Sequence, residues 1–388
     1  MEKKDDIIIS TIICFVFLLL FSQIIEEKII KPRLYDGTIN RLGRYSFTID
    51  AYDYISENYE NYIIAIGSSR MREIYDGISL KENSSYGIDF FNLAYGMDLP
   101  IIRMIEVDNL IEIKPRLVIL EVGPSTFSEF NEDVWYYNRT IEFMSHMISM
   151  NPRLTSPDWV NLLSEKEKEI LPLNYFDAKN HHANYGIKSI ETSLEYYLNG
   201  TDKPFSCSYP GGHVRCVPME GKQQGDYDKY IRYPSQLPNV LEGVKKNGTI
   251  INSNGNPYAM SLEKYYGEYL DGRITNPYHN PEGVKNLNHL ALDYMINKFQ
   301  KHNIDVLLVG FPYNPVLLDR LEDGKWDYVN ESIQEYSNFS NVYIQDMTWD
   351  NSWNDDHFSD LAHASREGEL YFTSRIYPII DEIMKTKI

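Results

Sequence analysis

Three short apolar runs, each stopping at a glycine, constrain the fold more than any other feature of the chain. Tyr62-Ile63-Ile64-Ala65-Ile66 ends at Gly67, Leu117-Val118-Ile119-Leu120-Glu121-Val122 at Gly123, and Ile304-Asp305-Val306-Leu307-Leu308-Val309 at Gly310. None of them alternates polar with apolar, so both faces of each strand must be covered. That is the signature of a parallel sheet between helices. Phe90-Phe91-Asn92-Leu93-Ala94, closed by Gly96, is a further short run, and Val342 to Asp346 reads as a last strand. Between them Pro100 to Ile113 has helical spacing, with Ile101, Ile102, Met104, Ile105, Leu110 and Ile111 on one stripe. Helices are also expected over Asn286 to His302, Tyr328 to Tyr336 and Leu370 to Met384, while Met71 to Leu80 reads as irregular or helical. Strand, helix and strand in this order place the chain in the α/β class.

The regular pattern occupies two blocks, 60–127 and 285–388. Between them, 128–284 is rich in tyrosine and asparagine and reads as a long irregular and helical insertion, with a helix from Pro157 to Ile170 behind a Ser156 cap. Residues 26–59 read as a connector, because Pro32, Gly37 and Gly43 interrupt its short apolar pieces.

Residues 1–25 read as a membrane anchor. Ile7 to Ile25 is broken only by Ser10, Thr11, Ser22 and Gln23, and at ~1.5 Å per helical residue it nearly matches a hydrocarbon core of ~30 Å. No small-residue cleavage site follows it, which favours an uncleaved single-pass helix over a removed signal peptide. Cys207 and Cys216 bracket a turn-rich segment and are compatible with a local disulfide or with two free thiols. With six N-x-Ser/Thr sequons, they tilt the main domain towards an extracytoplasmic location. A net charge of −19 opposes nucleic acid or an anionic membrane face as the main partner.

In a parallel sheet, ligands sit beyond the carboxyl ends of the strands. Gly67-Ser68-Ser69, Gly96 and Gly123-Pro124-Ser125 all follow strands directly, so they should share one edge. The loop with Asp360-Leu361-Ala362-His363 follows the last strand and should join them. An aspartate three residues before a histidine can sit on one turn, fixing the imidazole tautomer while the ring activates a hydroxyl.

These residues resemble the SGNH (GDSL-like) hydrolases, especially the membrane-anchored branch with the D-alanine-transfer and alginate O-acetylation proteins. Gly67-Ser68-Ser69 is similar to the first block, Gly96 to the glycine of the second, and Asp360 and His363 to the Asp-x-x-His of the fifth. The third block of that family is Gly-x-Asn; here Gly123-Pro124-Ser125 has a serine where the oxyanion-binding asparagine stands. The resemblance covers roughly 60–127 and 286–385. It implies a three-layer sandwich and a triad of Ser69, His363 and Asp360, with an oxyanion hole from Ser69, Gly96 and Ser125. It further implies acyl transfer through an acyl-serine, to water or a sugar hydroxyl, on a cell-surface glycan or glycolipid. A multispanning membrane-bound O-acyltransferase is the implied acyl donor, and no cofactor is expected. The serine in the third block leaves a non-catalytic surface or assembly protein as the alternative.

Several residues carry two readings. Ser68 is the rival nucleophile. Arg70 is a candidate contact for an anionic substrate group, against a plain ion pair. Glu121 either faces the site or caps a neighbouring turn, and His357 either supports the triad or is a solvated loop residue. His181, His182 and His213 lack the spacing of a metal motif, so no metal is expected. Thirty-one tyrosines and five tryptophans suit sugar stacking, but also ordinary core packing.

Overall fold

The computed structural model describes residues 43–127 except Met97, and 137–150, 157–173, 285–319 and 326–386. It also describes shorter pieces at 9–17, 21, 24, 154, 178, 231–232, 234, 249–251 and 257–259. Cys207, Cys216, His181, His182, His213 and most of the insertion lie outside the described residues.

Strands β1 (Tyr62–Ile66), β2 (Asp89–Asn92), β3 (Leu117–Val122), β6 (Asp305–Gly310) and β7 (Val342–Asp346) form one parallel sheet. Its order is β2-β1-β3-β6-β7. Strands β4 (Thr249–Ile251) and β5 (Pro257–Ala259) make a separate antiparallel pair within the insertion. From β1 the chain winds outward to β2, then returns past β1 to β3 and proceeds to the opposite edge. The winding therefore reverses between β1 and β3, where a crevice opens at the strands' carboxyl ends.

The central strands are buried on both faces, as their composition requires. Ile64, Ile66, Val118, Leu120, Val306 and Leu308 enter one apolar cluster, and Ile63, Ala65, Leu117, Ile119, Leu307 and Val309 the other. On the first face lie α1 (Gly43–Asn58), α4 (Pro100–Arg103), α5 (Val107–Ile113), α6 (Tyr137–Met150), α9 (Leu287–Lys301) and α11 (Asp327–Glu335). The second is covered by α2 (Ser69–Ile74), α3 (Gly77–Asn83) and α12 (Arg366–Lys385). Short helices α7 (Pro157–Val160), α8 (Glu165–Ile170) and α10 (Pro315–Leu318) and three 3₁₀ turns (Pro124–Phe127, Tyr336–Asn338 and Asp355–His357) are also described.

Sequence and structure differ at several helices. The helix expected over Pro100 to Ile113 breaks into α4 and α5, because Arg103 and Glu106 turn inward. Arg103 Nε donates to Asp98 Oδ2 (2.6 Å) and Nη1 to Glu106 Oε2 (2.8 Å), with all three residues buried. The helix expected over Pro157 to Ile170 is likewise two pieces, the second restarted by a reciprocal cap between Ser164 and Glu167. Residues 26–59 are more than a connector: α1 sends Ala51, Tyr52 and Ile55 into the core, and the Tyr52 hydroxyl donates to Glu106 Oε2 (2.6 Å). The last helix starts at Arg366, four residues ahead of its first expected apolar residue, because the Ser365 hydroxyl caps it by accepting from the Gly368 amide (3.2 Å).

Besides the core residues it contributes through α6, the insertion reaches the edge of the sheet at Ile231 and Arg232. The Asn92 amide donates to the Ile231 carbonyl (2.6 Å) and the Gly77 amide to the Arg232 carbonyl (2.9 Å). Arg232 also pairs with Asp89 (2.9 Å) and lies over the Phe91 ring at 4.2 Å. One backbone bond at Asn92 and the ion pair at Asp89 thus tie the insertion to the outer edge of β2.

At the N-terminus, residues 9–17 are helical, with Ile9, Ile12, Ile13, Phe15, Val16 and Phe17 exposed. Among the described residues no helix is long and apolar enough to cross a membrane. Residues 18–20 and 22–23, which the expected span includes, lie outside them.

Candidate active site

Strand β1 leads into the Ser68-Ser69 loop through a position only glycine can fill. A Cβ on Gly67 would lie 2.6 Å from the Glu121 Cβ and 2.9 Å from the Met71 Cβ. The next residue, Ser68, is the N-cap of α2, its hydroxyl accepting from the Arg70 amide (3.2 Å). Ser69 is therefore the first helical residue, and its amide lies outside the intrahelical ladder.

The two adjacent serines have different fates. Ser68 is tied to Glu121, its amide donating to Oε2 (2.5 Å) and its hydroxyl to Oε1 (2.8 Å). Ser69 instead turns towards the loop after β7, with Oγ 2.8 Å from His363 Nε2. His363 Nδ1 is 2.7 Å from Asp360 Oδ2. The other carboxylate oxygen, Oδ1, accepts the amides of Ala362 (2.7 Å) and His363 (2.8 Å). A carboxylate facing Nδ1 fixes the tautomer with its proton there, leaving the Nε2 lone pair for the serine hydroxyl. The Ser359 amide and hydroxyl donate to the His363 carbonyl (2.8 and 3.2 Å), which closes the turn. The His363 and Asp360 side chains keep 13% and 15% of their surface exposed, so the line is sheltered yet reachable.

The oxyanion candidates stand at the same edge. The Tyr95 amide donates to the Gly67 carbonyl (3.0 Å), which places Gly96 beside the Ser68-Ser69 loop. A Cβ at Gly96 would meet nothing within 4 Å, so this glycine borders open space rather than a crowded wall. Ser125 lies in a 3₁₀ turn, Pro124–Phe127, directly after β3. That turn is closed by the Gly123 amide, which donates to Thr126 Oγ1 (3.0 Å) and so is committed. Ser125, Gly67, Ser68, Asp98 and Glu121 line a small cavity of about 30 Å³ at the crevice between β1 and β3.

Arg70 takes the ion-pair alternative and not that of a substrate contact. Its Nε and Nη2 donate to Glu121 Oε1 (3.0 and 2.7 Å), and only 6% and 4% of the two side chains is exposed. The guanidinium also stacks on Tyr313, 4.6 Å from the ring centroid. Burial and two hydrogen bonds to one carboxylate oxygen hold it beneath the loop. Glu121 takes the capping alternative, since its oxygens serve Ser68 and Arg70. His357 stacks flat on Tyr371 at 4.6 Å, and its Nδ1 accepts the Asn354 amide (3.1 Å). It supports the loop rather than the triad.

Burial raises two carboxyls that the sequence did not single out, Asp98 and Glu73. Asp98, beside the cavity, is pushed up to about 8 by burial, against the pull of Arg103. Glu73, one turn after Ser69 on α2, is pushed up to about 7 by burial, with His363 and then Arg72 drawing it back down. The i,i+4 spacing from Ser69 is the signal that could have revealed it. Among the described residues, no three histidine, cysteine, aspartate or glutamate side chains converge on a metal position.

No protein-family model matches this sequence, and no curated protein matches it.

Proposed function

We propose that the protein is a serine-dependent acyl-transfer enzyme of SGNH type, an esterase or O-acyltransferase. The observation that carries the reading is the unbroken line Ser69 Oγ, His363 Nε2, His363 Nδ1, Asp360 Oδ2, with links of 2.8 and 2.7 Å. It joins residues almost three hundred positions apart, at the edge where the strand order opens a crevice. The parallel sheet and the glycine-ended loops support the same assignment.

In this reading His363 takes the hydroxyl proton of Ser69 as Oγ attacks an ester carbonyl. Asp360 stabilises the imidazolium that forms, without itself accepting the proton. The amides of Ser69 and Gly96, with the Ser125 hydroxyl, receive the negative oxygen. Collapse expels the alcohol, protonated by His363, and leaves an acyl-serine. Water or a sugar hydroxyl then attacks, giving up its proton to the same ring, and collapse breaks the acyl–Oγ bond as His363 returns that proton to Ser69.

The substrate proposed is an acylated cell-surface glycan or glycolipid, with Ile7 to Ile25 as a single-pass anchor and the main domain outside the membrane. The row of exposed apolar side chains on residues 9–17 supports an anchor. A membrane-bound O-acyltransferase is the proposed acyl source for the transfer version.

One observation favours a second reading, a non-catalytic surface or assembly protein. Ser125 offers a short hydroxyl where an asparagine amide would reach further, and loss of one oxyanion donor costs roughly 100- to 1000-fold in rate. A fluorophosphonate probe separates the two. Covalent labelling that disappears in Ser69→Ala supports the enzyme, and unlabelled but folded protein supports the binding role.

A further inference from the structure

Helix α2 presents two chemistry-bearing residues on one face. Ser69 opens the helix, and Glu73 follows four positions later, where side chains on a helix become neighbours. Glu73 is 3% exposed, and its Oε2 has no hydrogen-bond partner among the described residues. Oε1 has only a long contact, 3.4 Å, with Arg72 Nη2. A carboxyl this buried and this poorly satisfied is costly to keep unless it meets another charge.

The charge available to it is that of His363. Of the groups that act on Glu73, the His363 ring exerts the strongest pull towards the ionised form, ahead of Arg72, while Asp360 opposes it. Helix α12 packs on the same side and carries Arg366 and Glu369. These two pair with each other, and Arg366 also reaches Asp76 at 3.6 Å. The positive charge of Arg366 is therefore already matched, and strand β1 brings no charge of its own.

We propose that Glu73 is a positioning residue for the triad: a second carboxylate, set one helical turn behind the nucleophile, that favours the protonated form of His363 as the acyl-serine forms. The inference rests on the acyl-transfer reading above. It gives the imidazolium two carboxylates, Asp360 at hydrogen-bond distance on Nδ1 and Glu73 through the field of a dry site. Because Glu73 titrates near 7, this help is switched on as the pH rises through neutrality.

The test is the rate of fluorophosphonate labelling against pH, measured on the full chain in detergent. Removing the charge in Glu73→Gln makes the imidazolium less stable, so His363 becomes a competent base at lower pH. The acid limb should move down by about half a unit or more, and the plateau rate should fall several-fold. Glu73→Met, which fills the same dry space without a polar group, should give the same shift and guards against misfolding of the glutamine variant. Superimposable profiles for wild type and the folded variant overturn the role of Glu73 while leaving the serine chemistry intact. Absence of Ser69-dependent labelling in the wild type overturns the acyl-serine reading, and this inference with it.

Discussion

Ser68 and Ser69 are neighbours in sequence, yet they anchor two hydrogen-bond systems of opposite character. Ser68 belongs to a dry one, with Glu121 and Arg70 nearly fully buried and every contact aimed inward. Ser69 belongs to a sheltered but reachable one, with His363 and Asp360 at the open edge of the sheet. The first shapes the loop, and the second presents a polarised hydroxyl to whatever binds there. The same residue type thus joins a buried network or an accessible one according to which way the first turn of α2 sends its side chain.

Substitutions can break this contrast, and their expected effects differ in kind. Asp360→Asn should show the largest, a fall of about 10⁴-fold in labelling rate through the wrong histidine tautomer, with thermal stability close to wild type. Glu121→Ala strips Arg70 of its buried counter-ion and should destabilise the fold by about 3–5 kcal/mol, measured by denaturant unfolding. A Glu121→Ala protein as stable as wild type would show that the dry system is not structural. Ser68→Ala removes an N-cap and should cost about 1 kcal/mol while labelling still occurs at Ser69.

The smallest effect is a slope. Glu73 sits at about 7 in the folded protein against an ordinary 4.5, so between these values the native state holds a proton that the unfolded chain has released. Stability from this group is greatest below 4.5 and declines as pH rises towards 7. Glu73→Gln should flatten that decline, seen as the difference between unfolding midpoints across that range.

The sheet and both halves of the triad line were legible because they are local signals. Uniformly apolar runs identify central strands, and Asp-x-x-His places its two side chains within one turn. What stayed hidden depends on partners distant in sequence. Arg70 carries the same charge whether it points at ligand or at Glu121, and only the β1–β3 register puts Glu121 beneath it. The break between α4 and α5 was masked by an unbroken apolar stripe, since Arg103 and Glu106 point inward only because Asp98 and Tyr52 meet them there. Helix α1 scatters its apolar residues instead of gathering them on one stripe, so its three inward side chains gave no visible period.

Mapping the covalent adduct tests the central claim most directly. The full chain is treated with a fluorophosphonate, digested, and the modified peptide sequenced by mass spectrometry. The account requires the phosphonyl group on Ser69 and its disappearance in His363→Ala. An adduct on Ser68, or folded protein with no adduct, would contradict it.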